Sequence, residues 1–155
     1  MAITPNTLFS SGAVYTAQQA NNFPRGVMAQ TTRTAGDYTM TTSIADVTGM
    51  SVTWTVAASR SYKISWTAAC EKTTASGLVV FQITNASNAV AASTYASITV
   101  VGAGYGNLSG CVYLSGLTAG SITYKMRANV DVLNGKILAS GNNPCIMIVE
   151  DIGTA

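Results

Sequence analysis

The chain has 155 residues, of which 48% are hydrophobic and only 9% charged, and it contains no histidine. One domain with a short tail fits this length, and such a domain buries roughly 68–70% of its unfolded surface. Serine and threonine together number 36, so hydroxyl groups rather than charges cover the surface. This composition excludes a disordered chain and argues against a helical bundle, which needs a charged face. It favours β-sheet.

The net charge of +2 arises from scattered lysine and arginine residues. Nucleic-acid-binding proteins concentrate these residues in a stripe or patch, so no nucleic-acid partner is expected. No apolar run approaches the ~18 residues of a membrane-spanning helix, and no membrane insertion is expected. The first 24 residues contain no lysine or arginine, so we expect no signal peptide.

Residues 1–26 differ from the rest of the chain and are predicted to form an arm for attachment. Thr16 and Gln19 fit a capping box, which would open one helical turn through about Asn22, ended by Pro24. A helix this short is not stable alone, so the arm should dock on a partner. Docking on its own domain or on an adjacent subunit is the open alternative. The candidate attachment residues are Leu8, Phe9, Tyr15, Phe23 and Arg25.

From Val27 to Ala155 the pattern is one of short strands separated by turns. Apolar and polar residues alternate most clearly over Tyr62–Ala68, as expected for a half-buried strand. Gly, Asn or Pro lies between the strands, and Thr48-Gly49 is predicted as one such turn. The strands are expected near 27–33, 38–42, 52–56, 62–68, 78–84, 94–101, 107–114, 122–129, 135–140 and 145–152.

So many short strands, without a helix long enough for a parallel crossover, predict an all-β antiparallel sandwich or barrel. A chain with so few charges has little protection for exposed sheet edges. A jelly roll, or subunits packed side by side, would cover them. The predicted core residues are Trp54, Ile64, Trp66, Phe81, Ile122 and Tyr124.

Three cysteines, Cys70, Cys111 and Cys145, lie far apart in the chain. Their odd number and wide spacing favour a reduced and buried set. One disulfide with a spare thiol stays open as an alternative. The same dispersal makes a zinc site a poor fit, because structural zinc needs four ligands held close together.

Candidate catalytic groups are few. The absence of histidine excludes Ser-His-Asp and Cys-His nucleophile systems. Glu150 and Asp151 are neighbours on a predicted strand, so their side chains point to opposite faces and cannot share a site. Asp37 and Asp46 occur in turn-like contexts, where local backbone hydrogen bonds are expected.

The glycine-rich run Gly102–Gly106 lacks the lysine and the helix that a phosphate-binding loop requires, and it is predicted to be a loop or bulge. The sequence therefore predicts no catalytic, cofactor-binding or metal-binding residue. It predicts that the protein is not an enzyme.

Three segments of the chain, taken in order, form a distinctive pattern. They are residues 11–22 (SGAVYTAQQANN) continuing into Pro24–Val27, residues 117–128 (LTAGSITYKMRA) and residues 146–153 (IMIVEDIG). This pattern resembles a family of small structural modules of tailed bacteriophages, found at the ends of minor tail proteins, in head fibres and in capsid decoration proteins. The likeness spans about residues 11–153.

The resemblance implies a jelly-roll β-sandwich, similar to the complement globular head and the tumour necrosis factor domain, which assembles as a homotrimer without an active site. The leading hypothesis is therefore a virion structural protein, a trimeric capsid decoration or head-fibre protein assembled in the host cytoplasm. Its partners would be its own copies and the phage major capsid protein or a tail protein.

Two other hypotheses stay open. One is a tail-tip or tail-fibre knob that binds a host receptor, such as a surface glycan. The other, from a different class, is a free secreted lectin or cytokine-like ligand. A receptor knob would carry exposed aromatic and carboxylate side chains at the end distal to the arm, whereas decoration requires an arm-proximal surface that matches a shell lattice.

Overall fold

The computed structural model describes residues 22–72, 76–98, 104–132 and 135–154, and these residues contain no helix. The predicted helical turn from Thr16, and the attachment residues Leu8, Phe9 and Tyr15, lie outside these ranges. The described strands are β1 (Gly26–Arg33), β2 (Tyr38–Met40), β3 (Ala45–Val56), β4 (Arg60–Lys72), β5 (Gly77–Asn85), β6 (Val90–Ile98), β7 (Gly104–Leu114), β8 (Gly120–Val130), β9 (Gly135–Leu138) and β10 (Cys145–Thr154).

Two antiparallel sheets pack face to face. The first sheet has the order β1-β10-β4-β7, and the short strands β9 and β2 extend it beside the end of β4. The second sheet has the order β3-β8-β5-β6. Two four-stranded sheets connected in this order form a jelly roll, so the predicted fold class is confirmed.

Strict alternation along the strands builds the core between the sheets. Every second residue of β4 is buried, from Arg60 to Lys72. Trp66 lies directly opposite Gly110 of β7, where a Cβ atom would come within 2.6 Å of the indole ring. Among the predicted core residues, five are at most 6% exposed: Trp54, Ile64, Trp66, Phe81 and Tyr124. Ile122 is instead half-buried, because it lies near the start of β8 at the end of the sandwich.

The observed strands correct one predicted turn and two predicted strand boundaries. Thr48 and Gly49 lie inside β3, where the pairing with β8 shifts between Asp46 and Ser51, so they form a bulge rather than a turn. Gly49 has φ +81°, a conformation that favours glycine. The strand expected near 94–101 begins earlier, at Val90. Likewise, the glycine-rich run ends within β7, which begins at Gly104.

The two turn-like aspartates make long-range contacts instead of local ones. The Asp46 carboxylate binds Lys125 at 2.6 Å and Arg127 at 2.9 Å, both on β8. The Asp37 Oδ1 atom accepts a hydrogen bond from the backbone N–H of Ala139. The prediction was wrong because β3 continues past its bulge and brings Asp46 opposite Arg127.

All three cysteines are free thiols, but only two of them are buried. Burial raises the pKa of Cys70 to about 11, and that of Cys145 also to about 11. Cys111 is exposed, which corrects the prediction of a fully buried set. The reason is the alternation of β7, in which Leu108 and Leu114 face the core and the odd-numbered residues face outward.

Candidate interaction surfaces

Within the part of the chain that the structure describes, no group of three or more His, Cys, Asp or Glu side chains could hold a metal ion. No helix in these ranges is long and apolar enough to cross a membrane. The surfaces of the sandwich differ in their charge and in how their strand edges are protected.

The outer surface of the first sheet carries few charges and mixes hydroxyl, amide and apolar side chains. Three rows of paired residues cross β1, β10, β4 and β7 on this side, and we call them the first-sheet face. The rows are Val27-Glu150-Lys63-Tyr113, Gln30-Ile148-Ser65-Cys111 and Thr32-Ile146-Thr67-Ser109. Their two charged side chains, Lys63 and Glu150, pair with each other at 3.4 Å.

The outer surface of the second sheet is polar along β3 and β8. Hydroxyl side chains dominate, and Thr53 and Thr123 share a hydrogen bond of 2.8 Å across the two strands. Asp46 bridges Lys125 and Arg127 on the same side. The charged side chains on this face are thus Asp46, Lys125 and Arg127, whereas those of the first-sheet face are Lys63 and Glu150.

One lateral side of the sandwich is formed by the edges of β6 and β7, and we call it the β6/β7 edge. In the described residues each of these strands pairs on one side only, β6 with β5 and β7 with β4. The sequence from 90 to 114 contains no charged residue and no proline, the features with which proteins usually protect an exposed edge. Three tyrosines lie on these strands and are each more than 60% exposed, Tyr105 and Tyr113 on the outer side of the first sheet and Tyr95 on that of the second.

The opposite lateral side, formed by β1 and β3, is protected. Both strands carry bulges. The Thr31 hydroxyl donates to the Gly49 carbonyl at 2.8 Å, and Arg33 Nη1 donates to the Thr48 carbonyl at 2.9 Å. Side chains therefore bridge this corner between the two sheets.

Two ion pairs mark the two ends of the sandwich. At the distal end, the fully buried Lys72 side chain donates to Asp131 Oδ1 at 2.8 Å. The second Asp131 oxygen accepts from the backbone N–H of Leu78, and these bonds, that from Lys72 foremost, lower the pKa of Asp131. A Cβ atom at Gly77 would come within 2.3 Å of the Asp131 carboxylate, so a side chain there would displace that carboxylate from Lys72.

The arm-proximal end holds the second pair, Arg60 with Asp151. Residues Asn22–Arg25, which we call the lead-in, reach the sandwich at this end, where Arg60 Nη2 donates to the Phe23 carbonyl. Of the predicted attachment residues, the Phe23 side chain is 47% exposed and Arg25 is exposed. Sequence reasoning missed the ion pair because Arg60 and Asp151 are 91 positions apart.

No protein-family model matches the chain, and no curated protein matches it in sequence. Solved structures do match it. One is a crystal structure of murine APRIL at pH 5.0, with a TM-score of 0.52 and 9% identity over 83% of this chain and 100% of that chain. APRIL is a jelly roll of the tumour necrosis factor type, and at this identity the likeness concerns the fold alone.

Proposed function

We propose that this protein is a non-enzymatic structural protein of a bacteriophage particle, a homotrimer that decorates the capsid surface or forms a head fibre. The observation that supports the proposal is that, in the residues the structure describes, the first-sheet face and the β6/β7 edge carry few charges and several exposed apolar side chains, among them Val27, Tyr95, Tyr105 and Tyr113. Large exposed apolar patches mark sites of protein association. The phage assignment rests on the three sequence segments that resemble virion modules.

The β6/β7 edge and the first-sheet face are different parts of the protomer surface that meet at Tyr113 of β7. Tyr95 and Tyr105 are exposed on the edge strands, and Ile146 and Ile148 are half-buried along β10 on the face. Contact between different patches on identical subunits is heterologous, and such contacts close into a ring when the rotation permits. The resemblance to trimeric phage modules implies that this ring has three subunits.

Assembly in this way leaves the polar face of the second sheet toward solvent. That face carries the ion-paired cluster of Asp46, Lys125 and Arg127. The hydroxyl-rich strands beside it would keep the trimer soluble despite the low overall charge. The three lead-ins, each at the arm-proximal end, would direct the N-terminal arms to the major capsid protein or a tail protein.

The carboxylates also fit a structural role. Four of the six acids form ion pairs with basic residues: Asp46, Asp131, Glu150 and Asp151. A general base or nucleophile needs a poised carboxylate open to substrate. Screening against polysaccharide and ester substrates should give background rates, and turnover abolished by replacing a single carboxylate would contradict the proposal.

The trimer is tested by sedimentation equilibrium at micromolar concentration, where the wild type should have about three times the monomer mass of 16.0 kDa. Ile148→Arg places an unpaired charge on the first-sheet face and should yield monomers. Ser121→Arg adds the same side chain on the polar face and should leave the mass unchanged. A monomeric wild type, or equal dissociation by both variants, would refute this assembly.

The location is tested by cryo-electron microscopy of particles of the phage that encodes the chain. Density for a trimeric jelly roll on the capsid lattice would support the proposal. Its presence on the tail would favour the second candidate below, and its absence from the particle would overturn the virion assignment.

The second candidate function is a tail-tip or tail-fibre knob that binds a host glycan. The observation that favours it is a row of residues near the distal end, where Tyr105 of β7 and Lys136 of β9 both lie opposite Glu71 of β4. An exposed aromatic ring beside charged and hydrogen-bonding groups is suited to sugars. Binding to a glycan array that Tyr105→Ala abolishes and Tyr113→Ala retains would establish this candidate.

A further inference from the structure

The buried ion pair at the arm-proximal end has more than one partner. Arg60 Nε donates to Asp151 Oδ2 at 2.8 Å, Nη2 donates to Oδ1, and the backbone N–H of Gly153 donates to Oδ1 at 2.9 Å. Arg60 Nη2 also donates to the Phe23 carbonyl at 2.7 Å. Since Arg60 is 4% exposed and Asp151 1% exposed, one buried guanidinium joins β4, β10 and the lead-in.

A second feature of the same corner is independent of that hydrogen bond. Gly153 has φ +116°, and a Cβ atom there would lie 3.2 Å from the Asn22 carbonyl oxygen and 4.0 Å from Pro24 Cδ. The lead-in therefore crosses closely over the backbone of β10. A side chain at position 153 would push it away.

We infer that Arg60 is a positioning residue that latches the lead-in onto the sandwich, so that the folded unit includes the lead-in as well as the strands that follow it. The planar guanidinium carries five N–H donors in a fixed fork and can serve the carboxylate and the carbonyl at once. A lysine ammonium is a compact point charge and does not reproduce that fork. The latch gives the preceding chain a fixed point of departure beside the end of β10.

Limited trypsin digestion of the full chain tests the latch at the Arg25–Gly26 bond. The Arg25 side chain is exposed, so cleavage there is limited by detachment of the backbone, not by access to the side chain. Wild-type protein should be cleaved at this bond at least about tenfold more slowly than a peptide of residues 20–31. Loss of a hydrogen bond to a charged donor corresponds to roughly tenfold or more, so Arg60→Lys should raise the rate by that factor.

Lys63→Met is the matched control, because it removes an ion pair on the same strand without touching the lead-in. It should be cleaved at the wild-type rate. Mass spectrometry of the first cut separates local release, which leaves residues 26–155 intact, from global unfolding, which gives cuts throughout. A folded Arg60→Lys protein cleaved at the wild-type rate would overturn the latch. If that variant does not fold, the wild-type cleavage rate alone tests the latch. Wild-type cleavage as fast as that of the peptide would overturn the latch.

Discussion

The indole of Trp66 occupies the space that a side chain at position 110 would need, and its Nε1 atom reaches Thr94 of the second sheet at 3.4 Å. One residue thus packs within its own sheet and contacts the opposite one. Trp66→Ala should cost about 3–5 kcal/mol of unfolding free energy, the usual penalty for deleting a large buried aromatic side chain.

Urea unfolding at one fixed protein concentration measures this cost, because stability and self-association are linked. Thr67→Ala is the control, since its half-buried side chain lies on the outer side of the same strand. Its cost should stay below about 1 kcal/mol. A loss that small for Trp66→Ala would show that the indole does not support the core.

The three thiols should differ in reactivity toward maleimide. With pKa values of about 11, Cys70 and Cys145 would be thiolate in only about one molecule in a thousand at pH 8, and they are also buried. Intact-mass spectrometry of native protein should therefore show at most one label, at Cys111. The Cys111→Ser variant should take up none until urea unfolds it, and labelling of this variant in its native state would contradict the burial of the other two.

At the scale of elements, the Lys72–Asp131 pair joins the end of β4 to the end of β8. Hydrogen bonding to Lys72 lowers the pKa of Asp131, and bonding to Lys125 lowers that of Asp46, so both are below the ordinary value of 3.8. The native state then binds fewer protons than the unfolded chain as these groups titrate. Stability should be full above about pH 5 and fall as the pH drops through the lowered native pKa values.

Asp131→Asn tests how much the Lys72–Asp131 pair contributes to stability and to its pH dependence. It leaves the buried Lys72 ammonium without its counter-ion, so it should lower stability at pH 7 and flatten the loss in acid. Glu150→Gln, which removes a half-exposed pair, should cost only about 0–1 kcal/mol. Thermal unfolding from pH 7 to pH 2 measures both effects, and an unchanged acid profile in Asp131→Asn would exclude a role for this pair.

The strands were predictable where one face is buried and the other faces solvent, as in β4. Apolar and polar residues then alternate directly in the sequence. The bulge at Gly49 was not predictable, because a glycine inside a bulged strand has the same local signature as one in a turn. Arg60 and Asp151 are 91 positions apart, and strand alternation indicated only that Asp151 and Glu150 point to opposite faces. Their pairing depends on the register between β4 and β10, which no local pattern encodes.

For the complete fold, the distribution of apolar side chains over the surface was not predictable from the sequence, because it too depends on strand register. Val27, Ile148 and Tyr113 come from distant parts of the chain and share a face only after the first sheet has formed. Composition alone indicated that the surface is poor in charge. It did not indicate which side chains share the first-sheet face.

Assembly through these surfaces should shield Cys111, which lies in the central row of the first-sheet face. The rate of maleimide labelling at this thiol should therefore fall as the protein concentration rises, in proportion to the fraction assembled. In Ile148→Arg the rate should be fast and independent of concentration. A wild-type rate that does not change with concentration would place the interface elsewhere.

The single ion pair on the first-sheet face, Lys63 with Glu150, has a thermodynamic consequence. Association there would remove apolar surface from water with little Coulombic contribution, so its heat capacity change should be negative and its dependence on salt slight. Hydrophobic association weakens on cooling. The subunits should therefore separate more readily near 4 °C than at 37 °C.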